Sequence, residues 1–104
     1  MAYDPNKTAF YVLEQDDTWL TFNAPTIEMK LLLTFLSPSA AKHFVTKRAI
    51  KDVQLIAIAA KEVQQVINSM QANGIEGAAI DMDSPSFDGT PHPITVLSQY
   101  RGLA

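Results

Sequence analysis

Apolar and polar residues follow different rhythms along this chain, and the middle carries the strongest signal. Positions 29–36 are apolar at odd and even places alike, and after Ser37, Pro38, Ser39, Ala40 and Ala41 a second apolar stretch runs over 53–60. A strand with one wet face alternates, whereas one that is apolar throughout is expected to be covered on both faces, so both stretches are predicted to be central strands. Ser37 offers a hydroxyl to an orphan helix N–H and Pro38 suits the first helical position, so a helix starts there, with Ala41, Phe44, Val45 and Ala49 as its buried stripe. Over 61–74 a second helix sets Val63, Val66, Ile67 and Met70 on one face and Gln64, Gln65, Asn68 and Ser69 on the other. It ends at Asn73-Gly74, where glycine takes the left-handed conformation of a helix C-terminus.

The flanks are less periodic. Positions 9–13 and 18–22 are rich in β-branched and aromatic residues and are separated by an acidic turn at 14–17, which reads as an opening hairpin without a turn glycine. Gly77, Ala78, Ala79 and Ile80 form a short strand whose small residues call for a helix close above it. Positions 81–93 hold Pro85, Pro91, Pro93 and Gly89 and read as a loop, and the alternation over 94–100 reads as a last, edge strand. The element order is therefore β-β-β-α-β-α-β-β. It predicts a single α/β or α+β domain over 1–104, a mixed sheet of five to six strands with two helices on one face.

Composition narrows the chemistry. With 104 residues, 47% hydrophobic and 18% charged, the chain is an ordinary packed globule. It has no cysteine, which removes thiolate nucleophiles and sulfur-ligated metal sites. A net charge of −3 argues against nucleic acid, whose binding relies on many phosphate contacts. No apolar run reaches the roughly 20 residues of a membrane span, and the opening residues lack a leader pattern, so a cytoplasmic protein without membrane partners is expected. The charge layout is uneven: Lys42, Lys47, Arg48, Lys51 and Lys61 are five of the eight basic residues.

Candidate chemistry gathers in two places. Asp81 and Asp83, followed by Ser84, Ser86, Asp88 and Gly89, supply oxygen donors of the kind a hard cation requires. The spacing departs from an EF-hand, because counting from Asp81 puts Ser86 at the glycine position and His92 at that of the bidentate glutamate, with Pro85 between. The segment follows a strand, where α/β folds often bind ligands. It reads as a solvated turn or as a weak polar-ligand loop built on Asp81, Asp83, Asp88 and His92. The only other histidine is His43, and no nucleophile elbow accompanies either, so no catalytic residue, metal site or cofactor is assigned. Gly74 to Gly77 imitates a phosphate-clamping GXXG, but Glu76 opposes phosphate and a turn is expected.

The second place is the first helix, where a turn of about 100° per residue aligns His43, Lys47 and Lys51. Lys42 falls on the opposite flank and Arg48 in the apolar stripe. The row is either a solvated face that favours the helix C-terminus or a dock for an acidic protein partner. Tyr11, Trp19, Phe22 and Tyr100 are either core or an aromatic platform.

The strand Phe10-Tyr11-Val12-Leu13, the passage Phe35-Leu36-Ser37-Pro38-Ser39-Ala40-Ala41 and the segment Gly74-Ile75-Glu76-Gly77-Ala78-Ala79-Ile80-Asp81 together resemble the N-terminal domain of bacterial SseB-like proteins over positions 9–83. In that family a strand ending in Phe-x-Ser-x-x-x-Ala leads into a helix, and a later Gly-Ile/Leu segment enters a strand that ends in a polar residue. The resemblance implies a small α/β domain of non-enzymatic role, with no catalytic residues to carry over. The leading expectation is a binding or adaptor domain that self-associates as a homodimer. Tyr11, Trp19, Phe22, Leu97 and Tyr100 lie on strands the helices are not expected to reach, which places Trp19 or Tyr100 near the dimer centre. The competing expectation is a small hydrolase or isomerase using the 81–92 loop as acid and base.

Overall fold

The computed structural model describes residues 6–24, 29–82 and 92–99. In chain order these form β1 (Thr8–Gln15), β2 (Thr18–Trp19), β3 (Thr21–Ala24), β4 (Met29–Thr34), α1 (Pro38–Lys47), β5 (Gln54–Ala59), α2 (Val63–Ala72), β6 (Gly77–Ile80) and β7 (His92–Pro93). A 3₁₀ turn over Ala60–Glu62 leads into α2, and a second covers Ile94–Gln99.

The strands make two sheets, ordered β2-β1-β5 and β3-β4-β6-β7, antiparallel except for the β4–β6 pair. Asp16 and Asp17 turn β1 into β2 with φ of 53° and 62°, the doubly positive geometry of a two-residue type I′ turn. The expected second hairpin strand is divided. Leu20 donates its N–H to Leu13 of β1 at 2.8 Å and accepts from Leu33 of β4 at 3.3 Å, so the first half of the strand belongs to one sheet and the second half to the other. Tyr11 and Phe35 exchange both backbone hydrogen bonds, at 2.7 and 2.9 Å, and join the sheets a second time.

β4 is central, as its two-sided apolarity predicts. Its alternation sorts the core into two clusters: Leu32 joins Phe10, Val12, Ile58, Ala78 and the α2 stripe, whereas Leu31 and Leu33 join Leu13, Phe35, Ala79 and the α1 residues Ala41 and Phe44. The two helices therefore lie against opposite faces of β4, not on one face. The physical reason is the strand itself, since a single helical layer leaves one of its apolar faces wet.

Two further expectations fail. The stretch 53–60 is not a central strand: β5 pairs with β1 and stands at the end of its sheet, with Leu55 42% exposed. Its uniform apolarity is cover on one face and an exposed rim on the other. The 94–100 strand is a 3₁₀ turn over its described part. Ile94 and Leu97 are both buried there, three residues apart on one edge, as a three-residue period requires. Leu97, expected to be left over, packs in the α2 cluster.

Both helices end alike. After α2, Gly74 and Ile75 donate to Gln71 and Met70 at 3.1 and 2.9 Å, and after α1, Ala49 and Ile50 donate to Thr46 and Val45 at 3.2 and 3.1 Å. Each pair of bonds is a Schellman motif, whose first residue past the cap is left-handed. Gly74 takes that place at φ 79°, but in α1 it is Ala49 at φ 52°. Ala49 is exposed and outside the buried stripe. The start of α1 is as expected, with Ser37 Oγ accepting the Ala40 N–H at 3.2 Å.

Candidate functional site

The early end of α1 breaks the basic row. His43 and Lys47 are exposed on the helix, but Lys51 lies four residues past its last turn. The Lys51 carbonyl accepts from Gln15 Nε2 at 2.7 Å, so its backbone is tied to the end of β1. Arg48 does fall on the apolar side, with its guanidinium carbon 5.1 Å from the Phe44 ring centroid, within cation–π range.

Of the polar loop, Asp81 and His92 are described, and Asp83 and Asp88 lie outside the described residues. Asp81 is a structural group. At φ 54° its N–H donates to Thr34 at 2.8 Å and its Oδ1 accepts the Leu36 N–H at 2.8 Å, so its carboxylate closes the passage from β4 to α1. His92 sits in β7 opposite Ala78. Among the described residues no group of three or more His, Asp or Glu side chains is placed to hold a metal.

Trp19 lies between two surface grooves. Its ring packs against the α2 cluster and is half-buried. It lines two open grooves, one of about 420 Å³ with Asp17, Lys30, Ser69 and Asn73, and one of about 280 Å³ with Ile56, Ala57, Glu62 and Gln65. The first groove mixes polar side chains with Trp19, Met70 and Ile75, and the second mixes aliphatic side chains from β5 with Glu62, Gln65 and Ser69. Tyr100 lies outside the described residues. Tyr11 and Phe22 are half-buried and pack against the edge of the α1 cluster. Beside α1, a third groove of about 340 Å³ is lined by Leu13, Pro38, Lys42, Val45, Val53 and Leu55.

The outer rim of β5 is the feature that the residue pattern hides. Tyr11 and Leu13 use their backbone groups toward Phe35 and Leu20, away from β5. Their register partners Ala57 and Leu55 are thus in the non-bonded pairs of that ladder, and their N–H and C=O groups point outward. Among the described residues no strand pairs with that side of β5. The available signal is the absence of charge over 53–60, which reads equally well as a doubly covered strand. No helix among the described residues is long and apolar enough to cross a membrane. Neither a family model nor a curated protein matches the chain.

Proposed function

We propose that this chain is a small cytoplasmic binding or adaptor domain that works by surface recognition and self-association, in keeping with its SseB-like resemblance. The observation that carries the reading is the exposed aliphatic rim of β5, with Leu55 42% exposed, beside the grooves that flank Trp19. An uncharged edge strand with outward backbone groups is a template for pairing with another chain. An acid–base enzyme on the 81–92 loop is the weaker reading, because the Asp81 carboxylate already accepts the Leu36 N–H at 2.8 Å and a general base must reach its substrate's proton.

Light scattering of the purified chain tests the reading. At about 100 µM, where mass action favours even a weak complex, the expected mass is twice the 11.4 kDa of one chain. A mass that stays at one chain overturns self-association.

A further inference from the structure

We infer that the partner is a second copy of this chain, joined strand to strand along β5 in an antiparallel pair that runs through both sheets of the dimer. The inference rests on the self-association proposed above and specifies where and how it occurs. An edge strand presents unpaired backbone groups, and proteins guard such edges with lysine, proline, bulges or cover. β5 has none of the first two over positions 53–60. Its outward groups are those of Leu55 and Ala57, and at the end of the strand the Ala59 N–H is engaged by Glu62 Oε1 at 3.0 Å.

Those groups fix the register. A two-fold axis between antiparallel strands passes through a directly opposed residue pair. An axis at Ala57 sets Leu55 against Ala59 of the second copy and needs the N–H that Glu62 holds. An axis at Ile56 sets Leu55 against Ala57 twice and forms four backbone bonds from Leu55 and Ala57 alone. The second arrangement uses all the outward groups of those residues. It also opposes the two Ile56 side chains on the α2 face, beside the groove that Trp19 lines, and sets exposed Leu55 against exposed Ala57 on the other face.

Net charge at the strand ends is compatible with this pairing. Lys51 and Asp52 precede the strand, and Lys61 and Glu62 follow it. With the axis at Ile56, antiparallel pairing sets Lys51 of one copy level with Lys61 of the other and Asp52 level with Ala60, with Glu62 one residue further on. Each junction gathers two lysines and two acids, so its net charge is zero and Asp52 and Glu62 flank the facing lysines.

The test is sedimentation equilibrium of the full chain with two variants, read together with hydrogen exchange. Ala57→Pro removes the central outward donor without touching the β1 ladder, as proline is tolerated where an edge N–H faces solvent. Leu55→Lys installs the missing guard at an exposed position. The wild type is expected to dimerise, with slower exchange at the Leu55 and Ala57 amides as concentration rises, and each variant to weaken dimerisation by at least about tenfold. Circular dichroism confirms that both variants fold, and Leu55→Lys alone decides the matter if Ala57→Pro does not. A wild-type dimer indifferent to the folded variants overturns the strand pairing while self-association stands. A wild-type monomer overturns both, and protection of those amides only on adding an unrelated extended peptide gives the edge to another protein.

Discussion

Ala49 shows how a single side chain obscures a boundary. The α1 stop has the same hydrogen bonds as the α2 stop, yet alanine stands where α2 has Gly74, and a left-handed alanine is strained by its Cβ. Replacing it should help. Ala49→Gly relieves about 1–2 kcal/mol of strain against about 0.4–1 kcal/mol of added unfolded-state entropy, for a net gain of about 0.5–1 kcal/mol in a urea titration. A loss of stability would mean that the α1 terminus is not left-handed. Asp81 combines the same backbone region, φ 54°, with a side-chain bond to Leu36. Asp81→Ala leaves that N–H unpaired and is expected to cost about 1–3 kcal/mol, whereas Asp81→Asn, which keeps an acceptor and tolerates the left-handed region, should cost under about 1 kcal/mol. Equal costs for the two would show that the carboxylate's charge, not its geometry, matters.

Elements with a strong period are legible in the sequence, and those defined by neighbours are not. The N-cap Ser37, the α2 stripe and the Gly74 stop come directly from residue chemistry, and so does the place of β4. The C-terminal end of α1 is missed because no glycine announces it, which in turn leaves Lys51 wrongly in a helical row with His43 and Lys47. The turn over Ile94–Gln99 is missed because Ile94, Val96 and the intervening Thr95 satisfy an alternating pattern equally well. Small residues in β6 do report close approach: Ala78 and Ala79 are buried in the α2 and α1 clusters, and at Gly77 the close neighbours are strand side chains. A Cβ on Gly77 would collide with Leu31 Cδ2 and lie against Met29 Sδ, with the His92 carbonyl 3.0 Å away. Gly77→Ala is accordingly expected to destabilise by about 1–3 kcal/mol, as overpacking does, measured by thermal or denaturant midpoint. On the helices, Phe44 packs its ring 5.4 Å from that of Phe35 and Val66 is buried beneath α2. Phe44→Ala should cost about 3–5 kcal/mol and Val66→Ala about 1–3 kcal/mol. A cost below about 0.5 kcal/mol at either position contradicts its burial.

At the scale of the molecule, β1 and β4 each contribute alternate residues to both clusters, so neither core can form without the strands that build the other. Phe44→Ala on one face and Val66→Ala on the opposite face are therefore expected to shift one shared transition, with Trp19 fluorescence and far-ultraviolet circular dichroism coinciding in each variant. Separate transitions would mean that the two faces melt independently. The layered arrangement was half legible: a strand apolar on both sides demands two covers, but its pattern does not say whether the second cover is the other helix or another copy of the chain. The candidate site was less so. Asp81 draws notice as a carboxylate but acts through one backbone N–H, and the β5 rim is written in backbone groups that side-chain patterns do not record.

The parallel pairing of β4 with β6 has a bearing on synthesis. Leu31 lies beside Gly77 and Thr34 beside Ile80, and α1, β5 and α2 all lie between them in the chain. A ribosome emits β1 to β4 first, and those strands can pair as they emerge. β4 then waits, one side unpaired and Leu32 without its α2 cover, until the chain has grown past residue 80. Loop closure over such a span is slow, and strand-rich domains with distant pairings fold in about milliseconds to seconds. The nascent chain thus passes through a stage in which a strand whose residues Leu31 to Thr34 are all buried in the folded protein is paired on one side only, and chaperone demand should peak there.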